Sequence, residues 1–172
     1  YVGHEVTAGV VAARDGLPTA HDGAVPCAAL RIDLADGDAR LALFYTVFPD
    51  TDTITRRAVL THGGDAGTLV IRKLMSHQVD LPNRPFDLIT FDGAWISEGH
   101  RHRRPVMPGT YVNSSITGFS SALHNPGVLL AERGASEDRG EVYAFNLIYS
   151  GNHYTSVELT QRELVRVMSG IN

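Results

Sequence analysis

Residues 40–61 read RLALFYTVFPDTDTITRRAVLT, and this stretch carries the pattern that decides the fold. The run 40–48 is apolar at nearly every position, as in a β-strand that is covered on both faces. Pro49-Asp50-Thr51-Asp52 is a typical turn sequence, and the run 53–61 resumes the strand pattern after it. The spacing therefore predicts two antiparallel strands joined by a short connection.

The two-residue period extends outward from this stretch in both directions. Residues 26–35 place Leu30, Ile32 and Leu34 on one face of a strand. His62-Gly63-Gly64-Asp65 is typical of a hairpin connection. Further strands are predicted at 68–81, 83–91, 94–104, 110–118, 127–132, 141–149, 153–160 and 163–168.

These runs predict an all-β chain. No segment predicts an amphipathic helix longer than a few turns, and QRELVRVM at 161–168 fits either a short helix or a strand. About ten to twelve short strands at roughly ten-residue spacing are typical of an antiparallel β-sandwich. We expect one domain over residues 1–172. Because the alternation runs almost to both ends, we expect a partial domain whose sandwich continues beyond the chain.

Composition excludes several classes of partner. The 172 residues are 43% hydrophobic with a net charge of −4, which argues against binding driven by bulk charge to nucleic acid or to an anionic membrane. We expect no membrane span and no signal peptide, because the chain has no long apolar run and no basic leader. The missing initiator Met suggests an excised piece. Cys27 is the single cysteine, which excludes an internal disulfide and favours the cytoplasm.

The stretch DGAWISEGHRHRRP, residues 92–105, is the strongest candidate for a functional site. Strand alternation predicts that Glu98, His100 and His102 share one face, a set that could bind zinc if a further ligand joined them. The competing interpretation is a charged strand whose arginines pair with carboxylates of a neighbouring domain. On that pattern Arg104 joins the first face, and the opposite face carries Ser97, Gly99, Arg101 and Arg103.

Trp95, the single tryptophan, has two interpretations: it packs at the rim of the sandwich, or it stacks on the apolar face of a pyranose. Other chemistry is weakly supported. Asp87 and Asp92 flank a strand, but such carboxylates usually cap turns. The serines of 113–126 lack the sequence context of a nucleophile, and no glycine-rich phosphate loop opens a helix.

Seven segments, taken in order, resemble the amino-terminal domain of α-galactosidases of glycoside hydrolase family 36. Together they cover nearly the whole chain with similar spacing. They read FYTVFPDTDTITRRAVLTHGG, LMSHQVDLP, FDLITFDGAWISE, HRRPVMPG, SSALHNPG, GEVYAFNLIYSGNH and RVMSGIN.

The resemblance implies a β-supersandwich with a galactose-mutarotase-like fold, followed in the parent enzyme by a catalytic (β/α)8 barrel. It implies that the parent hydrolyses terminal α-galactosides, such as those of raffinose or melibiose, with retention of configuration. The two catalytic aspartates belong to the barrel, so no catalytic residue, metal or cofactor is assigned to this chain. The implied partners are the barrel of the same polypeptide and further copies in a homo-oligomer. Alone, we expect the chain to be inactive and to self-associate through unpaired edges.

This sequence departs from the family pattern at two places. Glu98 is followed by Gly99 where the family has arginine, and Gly99 could allow a β-bulge that re-aims His100. Ala122 stands where the family has histidine, whereas His124 and Asn125 match. The candidates for contact with substrate or with a neighbouring domain are Trp95, Glu98, His100, Arg101, His102, Arg103, His124 and Asn125.

Two alternative functions remain from the sequence. The first is a free-standing carbohydrate-binding module in which Trp95 supplies the stacking surface. The second is a cupin-like metalloenzyme that uses Glu98, His100 and His102.

Overall fold

The computed structural model describes residues 1–11, 26–63, 67–119 and 123–172. Its chain divides into two compact units, Tyr1–Ile71 and Arg72–Asn172. Twelve β-strands are present in the described ranges, together with one short 3-10 turn at Pro49–Thr51. They are β1 Gly3–Ala8, β2 Ala28–Asp36, β3 Ala39–Phe48, β4 Thr53–His62, β5 Met75–Pro82, β6 Phe86–Ala94, β7 Ser97–Pro105, β8 Gly109–Ser115, β9 His124–Glu132, β10 Val142–Asn146, β11 His153–Leu159 and β12 Leu164–Ile171.

The first unit is a four-stranded antiparallel meander in the order β1-β2-β3-β4. Pro49–Thr51 turns the chain between β3 and β4, and Asp52 adopts a left-handed conformation with φ 48°. Phe48 and Thr46 are buried on one face, where the Arg57 guanidinium lies 3.8 Å from the centre of the Phe44 ring. The predicted pair of strands around this turn is confirmed.

The second unit contains two antiparallel sheets, one in the order β10-β9-β6-β7 and the other in the order β11-β12-β5. Their facing side chains form one apolar cluster, in which Phe86, Leu88 and Leu130 pack against Val157 and Val165. The Phe86 and Tyr143 rings meet edge to face at 5.9 Å. The predicted all-β antiparallel sandwich is therefore confirmed, with β8 lying beside β11.

Several strand boundaries differ from those predicted. Residues 68–74 are not in a strand, and Val70 and Leu74 are largely exposed there, so β5 begins only at Met75. The alternating GHEVTA segment forms β1, which the sequence reading missed. Residues 161–163 form a turn and the strand interpretation holds for β12, where Val165 and Val167 are fully buried. Within the described ranges, no helix has the length and hydropathy needed to cross a bilayer.

Replacing Leu130 by alanine tests the packing of the two sheets. Leu130 is 0% exposed, so Leu130→Ala should lower the free energy of unfolding by about 3 kcal/mol through lost burial and a residual cavity. Urea unfolding followed by circular dichroism measures the change. Ile148→Ala is the control, because Ile148 is 94% exposed and should change stability by less than about 0.5 kcal/mol. Equal losses for both variants would contradict the assigned core.

Candidate functional site

Most of the predicted site residues gather at one end of the sandwich in the second unit, whereas Arg103 lies further along β7 and binds Asp87 near the start of β6. The end of β6, the start of β7, the start of β9 and the connection from β10 to β11 all lie there. Both ladders of β6 are irregular at this end, with register shifts between Asp92 and Ala94 toward β7 and between Thr90 and Asp92 toward β9. The site therefore lies where regular strand pairing is interrupted.

The interior of the sandwich changes from apolar to polar toward this end. Along β6 the inward positions run from Phe86 and Leu88 to Thr90 and Asp92. Along β11 they run from Val157 to Thr155, whose hydroxyl lies 2.8 Å from that of Ser169, and then to His153. Two-residue alternation brings these positions to the same face of each strand. Polar side chains thus occupy interior positions where hydrophobic ones would pack.

Asp92 lies at the centre of this polar end. His124 Nδ1 is 2.9 Å from Asp92 Oδ1, and since a carboxylate only accepts, this nitrogen carries the donated proton. Thr90 donates to Asp92 Oδ2 at 3.3 Å. His102 Nε2 lies 3.8 Å from the same oxygen, close enough for an ion pair when His102 is protonated. Two of the predicted residues, His102 and His124, therefore share one carboxylate.

His153 lies behind this group and is fully buried. Neither of its ring nitrogens has a hydrogen-bond partner among the described residues. Burial lowers the pKa of His153, and the neighbouring His124 lowers it further. The ring is therefore held in its neutral form at neutral pH.

Gly99 forms a β-bulge that changes the predicted faces of β7. Its φ is 75°, and β7 has two residues between Ser97 and His100 where β6 has one between Asp92 and Ala94. The extra residue reverses the alternation, so Ser97 Oγ bonds His100 Nε2 at 2.7 Å. Glu98 lies instead with Phe91, on the opposite side of the sheet. The predicted set of Glu98, His100 and His102 on one face is wrong.

This geometry also removes the metal hypothesis based on those three residues. Glu98 and the two histidines lie on opposite faces, so they cannot contribute to one coordination sphere. Across the ranges that the structure describes, no group of three or more His, Cys, Asp or Glu side chains is arranged to hold a metal ion.

The arginines of β7 lie on the predicted face but pair within the unit. Arg103 donates from Nε to Asp87 at 2.8 Å, from Nη1 to the Ala135 carbonyl and from Nη2 to the Glu132 carbonyl. Arg101 forms only a long, exposed ion pair of 3.8 Å with Glu137. The prediction that these arginines pair with a neighbouring domain is therefore wrong for Arg103, whose donors stabilise its own sheet.

Trp95 does not pack at the rim of the sandwich. It occupies the turn between β6 and β7 and is 86% exposed, next to Ile96, which has a left-handed φ of 62°. The packing interpretation of Trp95 is wrong within the described chain. The Ile96 amide donates to Glu98 Oε1 at 3.0 Å, so the turn orients the carboxylate that follows it.

A cavity of about 510 Å³ opens beside Glu98 and Asn125. Asn146, Tyr149 and Phe91 also line it. The sequence reading found two of these five residues. Tyr149 belongs to the IYSGNH segment and Asn146 to the strand before it; the Tyr-Ser-Gly-Asn motif at 149–152, part of the family resemblance, was a usable signal. Ala122, a predicted departure from the family pattern, lies outside the described residues.

Comparison with known proteins gives a consistent result. The family model for the glycosyl hydrolase family 36 N-terminal domain matches residues 1–172. Probable alpha-galactosidase G of Emericella nidulans is 39% identical over 172 residues, which is 99% of this chain. The crystal structure of the alpha-galactosidase from Lactobacillus brevis superposes with a TM-score of 0.88 at 33% identity over 100% of the chain. A variant of alpha-galactosidase AgaA from Geobacillus stearothermophilus in complex with raffinose gives a TM-score of 0.81 at 30% identity, again over 100% of the chain.

The chain is short relative to all three. It spans 24% of the Emericella protein, 23% of the Lactobacillus chain and 24% of the Geobacillus chain. The similarity is thus confined to one part of each larger α-galactosidase.

The pH dependence of stability tests the neutral state of His153. Because its pKa is lowered on folding, the unfolded chain binds the extra proton first, and stability should fall as pH decreases below about 6.5. His153→Leu removes the buried ring and should flatten the melting temperature between about pH 7.5 and about pH 5. Thermal unfolding followed by circular dichroism at each pH measures the melting temperature of both proteins.

The control for this experiment is His100→Gln, since His100 is an exposed histidine on β7, in the other sheet of the same unit. The melting temperature of His100→Gln should fall with decreasing pH as it does in the wild-type protein. Asp80 does not interfere, because hydrogen bonds from Arg166 lower its pKa and its contribution is lost only in stronger acid. A decline that persists in His153→Leu would refute the assignment.

Proposed function

Since the chain belongs to the amino-terminal domain family of glycosyl hydrolase family 36, we propose that it is the non-catalytic amino-terminal domain of an α-galactosidase. In this proposal the two units together form the single domain 1–172. A catalytic barrel in the same polypeptide cleaves terminal α-galactosides with retention of configuration. The observation that carries the proposal is the match of residues 1–172 to one family model, with relatives of about four times this length.

The two aspartates considered as a catalytic pair, Asp87 and Asp92, support a non-catalytic role. A retaining glycosidase needs two carboxyl groups about 5 Å apart, facing one substrate. Asp87 and Asp92 instead lie on opposite faces of β6, because an odd number of positions separates them and side chains alternate along a strand. Asp87 is bound by Arg103, and Asp92 is bound by His124. Neither carboxylate is placed to act with the other on a glycosidic bond.

Raffinose-type sugars are the proposed substrates of the parent enzyme. The support comes from a similar protein: a variant of AgaA from Geobacillus stearothermophilus was crystallised in complex with raffinose. This part of the proposal concerns the whole enzyme, because this chain spans only 24% of the AgaA chain that was crystallised with raffinose.

An apolar sheet face in the first unit supports a role in packing against a further domain or subunit. The register places the residues of this face in adjacent rows, with Val47 opposite Ile54 and Leu41 opposite Leu60. Val6 and Ile54 are each 66% exposed, and Leu60 is 40% exposed. Contiguous exposed apolar residues of this kind mark contact surfaces. We propose that this face, named here the meander face, is covered by the catalytic domain or by a second copy in a cytoplasmic homo-oligomer.

Hydrolysis of p-nitrophenyl α-galactoside tests the proposed function. The longer polypeptide that contains this sequence should release p-nitrophenol, whereas residues 1–172 alone should show no turnover above background. The β-galactoside isomer is the control substrate and should not be cleaved by either protein. Turnover by residues 1–172, or the absence of α-galactoside hydrolysis by the longer polypeptide, would overturn the proposal.

Light scattering tests whether the meander face mediates self-association. Residues 1–172 should self-associate with increasing concentration, and Ile54→Glu with Leu60→Glu should shift the population toward monomer because buried charge opposes association. Thr61→Glu is the matched control, since Thr61 is exposed on the opposite face of β4. A monodisperse wild-type monomer at high concentration would show that this face does not mediate association.

A further inference from the structure

The cavity beside Glu98 lies on the side of the β10-β9-β6-β7 sheet that faces away from the shared apolar cluster. Its volume of about 510 Å³ is in the range of small-molecule sites. Side chains from β6, β7, β9, β10 and the β10–β11 connection converge on it. Among the residues that line it are Phe91, Glu98, Asn125, Asn146 and Tyr149.

The aromatic part of the cavity is held in position by the backbone. The Tyr149 ring lies against Gly151 so closely that a Cβ at Gly151 would be 2.6 Å from Tyr149 Cε1. The Tyr149 amide donates to the Leu147 carbonyl at 3.0 Å, which fixes the turn that carries the ring. Tyr149 is 44% exposed, so one part of the ring remains open to a ligand. A ring that is already ordered loses little conformational entropy on binding.

The polar groups of the cavity are also oriented before any ligand binds. Glu98 Oε1 accepts the Ile96 amide, which leaves Oε2 as an acceptor beside the cavity. Asn125 Oδ1 accepts the Gly127 amide at 2.8 Å, which fixes the plane of its side-chain amide. Asn113, buried on β8, donates to the Asn125 carbonyl at 2.7 Å and so anchors this segment.

The lining selects the chemical class of the ligand. Lys, Arg and His are missing from the described residues that line the cavity, so an anion has no counter-charge there. A carboxylate and two amides supply acceptors and donors for hydroxyl groups, while the Tyr149 and Phe91 rings suit an apolar surface of C–H groups. A pyranose combines these two features, because its hydroxyls project outward and its ring faces are apolar.

We propose that this cavity binds one pyranose unit of an oligosaccharide, with Tyr149 as the stacking surface and Glu98 and Asn125 as hydrogen-bonding partners of the hydroxyls. The choice of galactose-containing sugars as first ligands rests on the proposed function. The site differs from the one expected around Trp95, which is 86% exposed and does not line the cavity.

Titration of ¹⁵N-labelled residues 1–172 with raffinose, followed by amide chemical shifts, tests the proposal. Shifts should concentrate at Gly99, Gly127 and Gly151 and report a Kd of about 1 mM, typical of a small, solvated site. Glu98→Gln and Tyr149→Ala should each weaken binding by about tenfold or more. Glu98→Gln keeps the shape of the side chain, so it separates loss of the carboxylate from loss of folding.

Two matched variants serve as controls. Glu137→Gln removes an exposed carboxylate away from the cavity, and Trp95→Ala removes the exposed ring of the β6–β7 turn; neither should change the affinity. Loss of binding in Trp95→Ala would assign stacking to Trp95 and overturn the proposed site. Galactose, glucose and tetramethylammonium are titrated in parallel. A response to tetramethylammonium without a response to the sugars would identify a cation site instead.

The outcomes separate this proposal from the proposed function. If the longer polypeptide hydrolyses α-galactosides but none of the sugars shifts these amides at about 100-fold above the expected Kd, the cavity proposal fails and the enzymatic one stands. If a sugar binds and Tyr149→Ala abolishes the response, but the longer polypeptide shows no hydrolysis, the cavity proposal stands and the enzymatic proposal fails. Shifts unaffected by either cavity variant would also overturn the proposed site.

Discussion

Antiparallel pairing on both sides of β6 is the constraint on which the second unit depends. β6 pairs with β7 on one side and β9 on the other, so the two-residue period of this central strand assigns each neighbouring side chain to a face. Leu88 and Thr90 face the apolar cluster, while Ile89 and Phe91 face the smaller cluster with Ala131 and Ala135. Beyond Thr90 the pairing of β6 with both neighbours becomes irregular, so side chains of the neighbouring strands no longer alternate regularly between the two faces of the sheet. The candidate site and the cavity are both located there.

The Gly99 bulge separates the Glu98 carboxylate from the imidazoles of His100 and His102. With regular alternation, Glu98 would add a third acidic or imidazole group to the face that holds His100 and His102. The extra residue moves Glu98 to the side of Phe91 and leaves Ser97 to bond His100. Bulges commonly re-aim a side chain next to a binding site. In this chain the consequence is that His100, His102 and His124 lie on one side of the sheet, whereas the cavity on the other side is lined without Lys, Arg or His.

Sequence reasoning predicted most of the strands because burial on one face leaves a two-residue period and burial on both faces leaves a continuous apolar run. Neither pattern requires knowledge of the partner strand. It placed Arg101 and Arg103 on one face and His100 and His102 on the other. It failed for Glu98 because register depends on backbone conformation, and the left-handed φ of Gly99 is only suggested by the presence of glycine. The partners of Arg103 could not be predicted either, since two of them are backbone carbonyls from residues about thirty positions away. The family resemblance, by contrast, was confirmed over the whole chain.

The polar end of the sandwich links stability to the proposed binding. Val157 and Val165 stabilise the apolar end by burial, whereas His153 lies buried without a hydrogen-bond partner among the described residues, which costs free energy. Local opening is therefore expected to begin at the polar end, where the fewest apolar contacts are lost. The β10–β11 connection carries Tyr149 into the cavity and leads directly into His153. A ligand held between Tyr149 and Glu98 would bind only the closed form of this segment and would stabilise it by mass action. On the proposal that the cavity binds a sugar, the bound sugar would therefore oppose the local opening that the unpartnered His153 favours.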